Sequence, residues 1–162
     1  GGGISMANLR KNAAVVVFRD DKKVLVCARI NGEGNLWQFP QGGIEAGETP
    51  KQAAARELFE ETSLHSVKWI AGIEKPIRYE FPPEVKNIFS QRGILTDGQE
   101  QYWSLFYLTG SETEINLQTA EPEFKEYRWV DIRETPDLVW SVKKDAYKQM
   151  VEVFAPIIDN YF

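Results

Sequence analysis

The chain has 162 residues, of which 43% are hydrophobic and 12% aromatic, and its formal net charge at pH 7 is −5. This length and apolar content predict one folded domain with a sizeable core and exclude an intrinsically disordered protein. The acidic balance argues against a broad nucleic-acid-binding surface, which is normally basic, and the single cysteine excludes a disulfide framework.

The start of the chain and its hydropathy bear on location. Residues 1–5 precede Met6 and are rich in glycine, so we expect them to be a remnant of cloning and the domain to span residues 6–162. No apolar run reaches the length of a membrane-spanning helix, and no pattern of a signal peptide precedes the domain. We therefore expect a cytoplasmic protein without membrane association and without an obligate protein partner.

In chain order, the first predicted elements are two strands and a helix. Residues 13–18 and 24–29 are rich in β-forming residues and flank a polar turn, which predicts a β-hairpin. A helix is predicted over residues 50–62. Thr49 is its expected N-cap, a proline follows at the first helical position, and Gln52 completes a capping box.

The rest of the chain alternates apolar runs with turn signals. Four further strands are predicted, at residues 67–73, 77–81, 101–109 and 124–130. Residues 82–98 contain a proline pair and scattered glycines, which predicts a long loop or lid. Apolar residues at helical spacing predict a last helix over residues 143–154. Together these elements predict an α+β domain.

The predicted helix 50–62 carries three glutamates on one side. Glu57, Glu60 and Glu61 are spaced at i, i+3 and i+4, where side chains lie about 5–6 Å apart and like charges repel. Arg56 offsets part of this repulsion, because it can pair with Glu60 four residues later. A solvated acidic face is the simplest interpretation of such a cluster. The glycine-rich segment in front of the helix favours a bound cation instead.

The ligand chemistry of carboxylates indicates which cation is expected. Carboxylates are hard oxygen ligands, so the expected ion is Mg²⁺, with Mn²⁺ as the alternative. Magnesium in proteins commonly binds one or two carboxylates together with phosphate groups of a substrate. A carboxylate cluster beside a glycine-rich loop therefore predicts metal-assisted hydrolysis of a phosphoanhydride.

The segment 42–64 resembles the Nudix box, whose pattern is G-x5-E-x7-R-E-U-x-E-E-x-G-U, where U is an aliphatic residue. The matching residues are Gly42, Glu48, Arg56, Glu57, Leu58, Glu60, Glu61 and Leu64. Ser63 stands where the family has a glycine, which normally ends the helix in a left-handed conformation. This departure is expected to shift the end of the helix without removing a metal ligand.

The likeness extends over residues 10–157. The segments 37–44 and 98–103, whose sequences are WQFPQGGI and GQEQYW, are similar to one branch of the family. That branch holds the bacterial RNA pyrophosphohydrolases and the plant-type diadenosine tetraphosphate hydrolases. The resemblance implies the Nudix fold, in which a mixed β-sheet is sandwiched between α-helices.

The resemblance also implies roles for residues of the box. In the family, the box glutamates hold one or more magnesium ions, and a water molecule attacks a phosphorus of the polyphosphate. Glu57, Glu60 and Glu61 occupy these positions, and Glu57 is implied as either a ligand or the general base. Arg56 is implied to orient the glutamates, so these four residues are the expected catalytic set.

Residues near the box complete the implied metal site. The carbonyl oxygen of Gly43 is an expected ligand, and Glu123 matches a glutamate outside the box that completes the site in this branch. Gly42 is expected to let the backbone approach the metal and the phosphates, and Glu48 to hold the shape of the loop. Without the resemblance, Glu123 is simply a surface acid.

Six residues are expected to bind the substrate: Arg10, Arg29, Gln41, Tyr79, Gln101 and Lys143. The cations would neutralise the phosphate chain, although each is equally consistent with a solvated surface cation. Arg29, which ends a strand just before the loop, is the best placed of them. Tyr79 and Gln101 match positions near the substrate in this branch, with core packing and support of the strand ladder as their alternative roles.

The choice of substrate depends on residues outside the box. The RNA-acting enzymes have a Phe-Lys pair ahead of the last helix, where the ring can stack on a base, but here Val142 precedes Lys143. Residues 81–85 and 153–156 are more similar to the diadenosine tetraphosphate hydrolases. The favoured prediction is therefore asymmetric hydrolysis of diadenosine tetraphosphate to ATP and AMP, and removal of pyrophosphate from RNA 5′ ends is the alternative. A third hypothesis, a Nudix-fold binding module or nucleotide sensor without turnover, is disfavoured because every box glutamate is present.

Overall fold

The structure is a computed structural model, and it describes residues 7–32 and 36–162. The predicted cloning remnant at residues 1–5 and the predicted domain boundary at residue 6 lie outside the described residues. Among the helices of the described residues, none is both long enough and apolar enough to cross a membrane.

The N-terminal hairpin forms as predicted. Strand β1 (Leu9–Phe18) pairs antiparallel with strand β2 (Val24–Arg29). Successive side chains of a strand point to opposite faces, so the buried part of β1 contributes to two cores. One core contains Ala14, Val16 and Phe18, and the other contains Ala13, Val15 and Val17. A strand buried on both faces requires further elements on each side of its sheet.

A mixed sheet of seven strands forms the centre of the domain. Its other strands are β3 (Gln41–Gly43), β4 (Val67–Gly72), β5 (Ile77–Glu80), β6 (Gly98–Leu108) and β7 (Phe124–Val130). The main path runs in the order β4-β6-β1-β2-β7, with β3 paired to β1 and β5 paired to β6. Strands β1 and β6 run parallel, and the other pairs run antiparallel. All four strands that were predicted to follow the first helix are therefore present.

Helices cover both faces of this sheet. They are α1 (Pro50–Thr62), α2 (Pro83–Gln91), α3 (Thr135–Leu138) and α4 (Lys144–Asp159). Helix α1 packs Ala54 and Leu58 into one core, and α4 packs Met150 and Phe154 into the other. This arrangement confirms the predicted α+β architecture, with a mixed sheet between helices.

Both ends of α1 follow from its capping residues. The side-chain oxygen of Thr49 accepts a hydrogen bond from the Gln52 backbone N–H at 3.1 Å, and the Gln52 side chain accepts one from the Thr49 N–H at 2.9 Å. Ser63 adopts the left-handed conformation with φ of 68°, and its hydroxyl donates to the carbonyl of Asn116 at 2.9 Å. The helix ends at Thr62, so the shift expected from serine at position 63 does not occur.

The prediction of a long loop over residues 82–98 is wrong, because this segment contains α2. Pro83 occupies the first helical position, where the missing N–H removes no intrahelical hydrogen bond. The helix carries Val85, Ile88 and Phe89 at helical spacing, but it buries none of them completely. Its main anchor is Phe89, whose ring meets that of Phe81 edge to face at 5.0 Å. The proline pair marks the start of a helix here.

The other differences concern short elements and the ends of strands and helices. Strand β1 begins at Leu9 and not at residue 13, and β6 begins at Gly98 and not at residue 101. Strand β3 and helix α3, of three and four residues, were not predicted. Both are too short for a periodic pattern, and β3 forms only because β1 pairs with it. Helix α4 begins at Lys144 and continues beyond the predicted end at residue 154 to Asp159, with Pro156 inside it.

Candidate active site

Strand β3 lays the glycine loop directly on α1. A Cβ atom on Gly42 would lie 2.0 Å from the carboxyl carbon of Glu57, so a larger residue would require this carboxylate to move. On Gly43, a Cβ atom would meet the end of the Arg10 side chain at 2.8 Å. The backbone of the loop therefore lies against the acidic face of α1.

Arg56 makes hydrogen bonds to several residues of the box and its loop. Its guanidinium donates hydrogen bonds to Glu48 at 2.7 and 2.9 Å, to Glu57 at 2.7 Å and to Glu60 at 3.2 Å. It also donates to the carbonyl oxygen of Gly43 at 2.9 Å, and this oxygen keeps a second lone pair for another partner. The hydrogen bond from Arg56 lowers the pKa of Glu48 to about 2. Arg56 thus ties the loop to the helix and compensates three carboxylates.

Glu61 is held by the backbone of the loop instead. One of its carboxyl oxygens accepts a hydrogen bond from the N–H of Gln41 at 3.1 Å. Burial, followed by the negative charge of Glu57, raises the pKa of Glu61 to about 9. Burial also raises the pKa of Glu57, although the hydrogen bond from Arg56 opposes this shift. A nearby cation would reverse both shifts, because opposite charge favours an ionised carboxylate.

One cavity of about 720 Å³ is lined by five glutamates, and we name it the acidic cavity. These residues are Glu57, Glu60, Glu61, Glu121 and Glu123. Of the residues that the structure describes, no lysine or arginine lines this space. Thr119 also lines it, with a buried hydroxyl that makes no hydrogen bond to any described residue. The cavity therefore offers oxygen ligands and negative charge to a cation.

The residues of the acidic cavity fit a divalent metal ion by their chemistry. Carboxylate oxygens are preferred ligands of Mg²⁺ and Mn²⁺, and a bound cation would oppose the burial and the negative charge of Glu57 that raise the pKa of Glu61. Within the part of the chain that the structure describes, no three acidic, histidine or cysteine side chains converge as a ready-made ligand set. Arg56 gives a reason, because it holds Glu57 and Glu60 in ion pairs. Glu57, Glu60 and Glu123 therefore line one cavity, but in the described part of the chain their carboxylates do not meet at one coordination point.

A second cavity, of about 500 Å³, contains four of the six predicted substrate residues, and we name it the aromatic cavity. The four are Arg29, Gln41, Tyr79 and Lys143. Its volume lies in the usual range for small-molecule sites. Further rings cover much of its wall, from Trp37, Phe81, Phe89 and Trp140.

The other two predicted substrate residues do not line the aromatic cavity. Gln101 is buried, and its amide donates to the side-chain oxygens of Gln41 at 3.2 Å and Gln99 at 3.4 Å. The hydroxyl of Tyr79 donates to the same oxygen of Gln99 at 2.6 Å. Gln101 therefore supports two amides that face the cavity. Arg10 is exposed and lies over the glycine loop.

Two cations of the aromatic cavity interact with glutamates of the acidic cavity. Arg29 lines the aromatic cavity, and its guanidinium is 3.7 Å from the carboxylate of Glu123, which lines the acidic one. Lys143 is buried. Burial, and then the charge of Arg29, lowers the pKa of Lys143 to about 8, against the opposing effect of Glu61. A ligand with several negative charges would compensate both cations and extend from one cavity toward the other.

Most residues that line the aromatic cavity were not predicted to bind the substrate, among them Phe89, Gln99 and Trp140. Phe89 lies on α2, in the segment predicted to be a loop. Trp140 stands two residues before Val142, the position to which the family resemblance pointed. A signal for Gln99 was present in the sequence, because it precedes Gln101 by two residues and therefore shares its face of the strand.

A family model described as NUDIX domain matches residues 8–151. The chain belongs to the Nudix family. It is a Nudix hydrolase that acts on phosphoanhydride bonds, and the enzymes of this family generally depend on a divalent metal ion.

Curated relatives align with nearly the whole chain. The RNA pyrophosphohydrolase of Pelagibacter ubique is 38% identical over 151 residues, which cover 93% of this chain and 94% of that protein. The chloroplastic Nudix hydrolase 26 of Arabidopsis thaliana is 38% identical over 150 residues, which cover 90% of this chain and 69% of that protein. These similarities confirm the predicted branch of bacterial and plant enzymes.

A solved structure agrees with the fold. An Ap4A hydrolase of C. elegans in a binary complex has a TM-score of 0.62, with 91% of this chain and 99% of that chain covered. The sequence identity is 16%, so this likeness concerns the fold alone. It confirms the Nudix fold that the sequence predicted.

Proposed function

We propose that the chain removes pyrophosphate from triphosphorylated 5′ ends of RNA by metal-assisted attack of water on phosphorus. One observation carries the proposal: Arg29 lines the aromatic cavity together with Lys143, and its guanidinium lies 3.7 Å from Glu123 of the acidic cavity. Acids for a metal ion, cations for phosphates and rings for a base are the parts that a nucleoside polyphosphate requires. The names of several curated relatives support RNA ends as the substrate.

Mg²⁺ is the proposed metal ion, with Mn²⁺ as the alternative. The residues that would hold it are Glu57, Glu60, Glu61, Glu123 and the carbonyl group of Gly43. When bound there, the ion supplies Lewis acidity toward a phosphoryl oxygen and lowers the pKa of a bound water.

The side chains around the metal site bind, orient and accept a proton. Arg29 and Lys143 bind phosphate oxygens and neutralise the charge that develops on the leaving group. Arg56 orients Glu57, which serves as the general base or as a metal ligand. Burial raises the pKa of Glu57, and this brings its carboxylate closer to the basicity of an efficient proton acceptor near neutral pH.

Asymmetric hydrolysis of diadenosine tetraphosphate to ATP and AMP, favoured from the sequence, is the second candidate. The aromatic cavity supports it, because an adenine ring followed by phosphates suits the same rings and cations. The names of the curated relatives support RNA ends better, and the likeness to an Ap4A hydrolase is confined to the fold. The sequence argument against RNA is also weaker, because Trp140 lines the aromatic cavity and Val142 does not.

A side-by-side rate comparison with Mg²⁺ tests the proposal. The substrates are a triphosphorylated RNA oligomer, diadenosine tetraphosphate and ADP-ribose, and the products of each are separated and identified. We expect release of pyrophosphate from the RNA with the highest kcat/KM. Faster cleavage of diadenosine tetraphosphate to ATP and AMP would replace the proposal with the second candidate. Binding of nucleotides without any hydrolysis would favour the sensor hypothesis.

The location and partners of the chain stay predictions. A cytoplasmic location suits an enzyme that acts on RNA ends or free nucleotides. Full activity of the purified chain alone in the rate comparison would support the expected lack of an obligate protein partner.

A further inference from the structure

Four rings that line the aromatic cavity form one connected group, named here the aromatic wall: Tyr79, Phe81, Phe89 and Trp140. The ring of Phe81 is buried, and its centroid lies 5.8 Å from Tyr79, 5.0 Å from Phe89 and 6.2 Å from Trp140. The other three rings are only partly buried. One packed ring thus supports three rings that keep surface open toward a ligand.

A 3₁₀ turn holds Trp140 beside Lys143. The turn spans Ser141–Lys143, and the backbone N–H of Lys143 donates to the carbonyl oxygen of Trp140 at 2.8 Å. Side chains three residues apart are eclipsed in such a turn. Trp140 and Lys143 accordingly both line the aromatic cavity, whereas Val142 between them does not. The backbone therefore directs Trp140 and Lys143 toward the same cavity.

The walls of the aromatic cavity limit which ligand fits. The rings offer apolar faces to a flat group, and the amides of Gln38, Gln41 and Gln99 offer hydrogen bonds to its edge. A bare polyphosphate would leave the rings without a partner. An apolar ligand would leave the ammonium group of Lys143 buried and uncompensated, which is unfavourable. A nucleobase that carries phosphates satisfies both parts of the cavity.

We infer that Trp140 is the ring on which the base of the nucleotide substrate stacks, with Phe89 of α2 as a second wall of the same base site. This inference rests on the proposed function, since it requires a nucleotide substrate. It moves the stacking platform from position 142 to position 140, so the valine at position 142 does not weaken base binding. It also gives α2 a role, because this helix carries one wall of the base site.

Kinetics with three variants test the inference. Trp140→Ala removes the ring, Trp140→Phe keeps a smaller ring, and Val142→Ala changes the position between Trp140 and the turn's last residue. Loss of one base stack weakens binding by roughly 5- to 150-fold. We expect Trp140→Ala to raise KM for triphosphorylated RNA by this factor, with kcat within about threefold of the parent. Trp140→Phe is expected to restore most of the affinity, and Val142→Ala to leave KM within about twofold.

Trp69 provides the matched control. Its side chain is 37% exposed on β4 and lines neither the acidic nor the aromatic cavity. Trp69→Ala is expected to leave both kcat and KM at parental values. An unchanged KM in Trp140→Ala, or a KM raised as much in Val142→Ala as in Trp140→Ala, would overturn the inference.

Inorganic tripolyphosphate separates stacking from damage to the 3₁₀ turn, because it binds cations but has no base. If Trp140 stacks on the base, the inhibition constant of tripolyphosphate is the same in the parent and in Trp140→Ala. Equal weakening of tripolyphosphate and RNA would overturn the inference, since the ring would then act only through Lys143. Phe89→Ala is an independent variant with the same expected split, should Trp140→Ala fail to fold.

Failure of the inference and failure of the proposed function give different results. Binding of ATP without added metal can be monitored by quenching of tryptophan fluorescence, and this assay requires no turnover. The parent chain could bind ATP but hydrolyse no substrate, and the quenching could be lost in Trp140→Phe. This pair of results would contradict the proposed reaction and support the base site. Hydrolysis of RNA with equal KM in the parent and Trp140→Ala supports the reaction and overturns the base site.

Discussion

The acidic cavity and the aromatic cavity differ in how far apart along the chain their residues lie. Glu57, Glu60 and Glu61 come from one helix, and Glu123 joins them from the segment before β7. The aromatic cavity draws side chains from β2, β3, β5, α2, β6 and the turn before α4. A local motif places the first set, because a helix brings residues three and four apart onto one face. The second set depends on the packing of the whole domain.

This difference in origin corresponds to a difference in role. Under the proposed function, the acids and the glycine loop would provide the chemistry common to phosphoanhydride hydrolysis, whereas the rings and amides would contact the part of a substrate that varies. Changes to the acidic cavity are therefore expected to lower the turnover of every substrate. Changes to the aromatic cavity are expected to alter which substrate is preferred.

Replacement of Glu61 by glutamine is expected to have the largest effect. It removes the charge of the most buried box acid and keeps its shape, so kcat falls for every substrate by roughly 10²–10³-fold, as for loss of one preorganised electrostatic group. Mg²⁺ is expected to raise the Tm of the parent and not that of Glu61→Gln, because an ion stabilises only a state that binds it. Glu121→Gln, in the same cavity, is the matched control and should keep most of the activity. Parental turnover in Glu61→Gln would show that the metal site is assigned wrongly.

A methyl group on Gly42 is expected to have the next largest effect. Gly42→Ala would place Cβ 2.0 Å from the Glu57 carboxyl carbon, so either this carboxylate leaves its hydrogen bond with Arg56 or β3 and α1 separate. Displacement of a catalytic group by about 1 Å can lower the rate by about 10²-fold, and overpacking costs about 1–3 kcal/mol of unfolding free energy. Gly43→Ala meets only the flexible end of Arg10 and is expected to change both quantities much less. Rates and urea unfolding measured for the two variants check this, and equal losses would contradict it.

The pH dependence of kcat/KM is expected to depend on Lys143. Its pKa is lowered to about 8, so the free enzyme keeps the ammonium charge below this pH and loses it above. We expect kcat/KM for RNA to fall by up to about tenfold per pH unit above pH 8, because neutral lysine binds phosphate poorly. Lys143→Arg keeps its charge throughout this range and is expected to remove the alkaline limb. The same limb in both proteins would assign the titration to another group.

The smallest effect is expected at Ser63. Ser63→Gly relieves the left-handed backbone but removes the hydrogen bond to the Asn116 carbonyl. Relief of roughly 1 kcal/mol and loss of about 0.5–1.5 kcal/mol nearly cancel, so the free energy of unfolding changes little. Ser63→Ala keeps the strain and loses the bond, and it is expected to be less stable than the parent by about 1 kcal/mol. Urea denaturation measures both, and a marked gain in Ser63→Gly would mean that the hydrogen bond contributes nothing.

The fold could be predicted where local signals are strong. The bounds of α1 match the prediction because Thr49 and Gln52 form the capping box that the sequence pattern indicates. The strands were predicted from β-forming and apolar runs, which are clearest in the largely buried β1, β2 and β6. Helix α2 was missed because its proline pair suits either a loop or the start of a helix. The helix also buries no residue completely.

The candidate site could be predicted only in part. The spacing of Glu57, Glu60 and Glu61 indicates a shared face, and Arg56 makes the i,i+4 pair with Glu60 that the spacing allows. The position of Trp140 in the aromatic cavity could not be predicted, because the resemblance pointed to position 142 and a 3₁₀ turn decides which of these side chains faces inward.

The sequence by itself determined the reaction class, the helix that carries the acids and the α+β class of the fold. These features depend on residues within a few positions of each other, whose relative placement follows from helix and strand geometry. Only the tertiary structure decided that Arg29 of the aromatic cavity lies beside Glu123 of the acidic cavity, that Gln101 supports Gln41 and Gln99, and that α2 contributes a ring to the aromatic cavity. Such placements depend on long-range packing between segments, and no spacing along the chain records them.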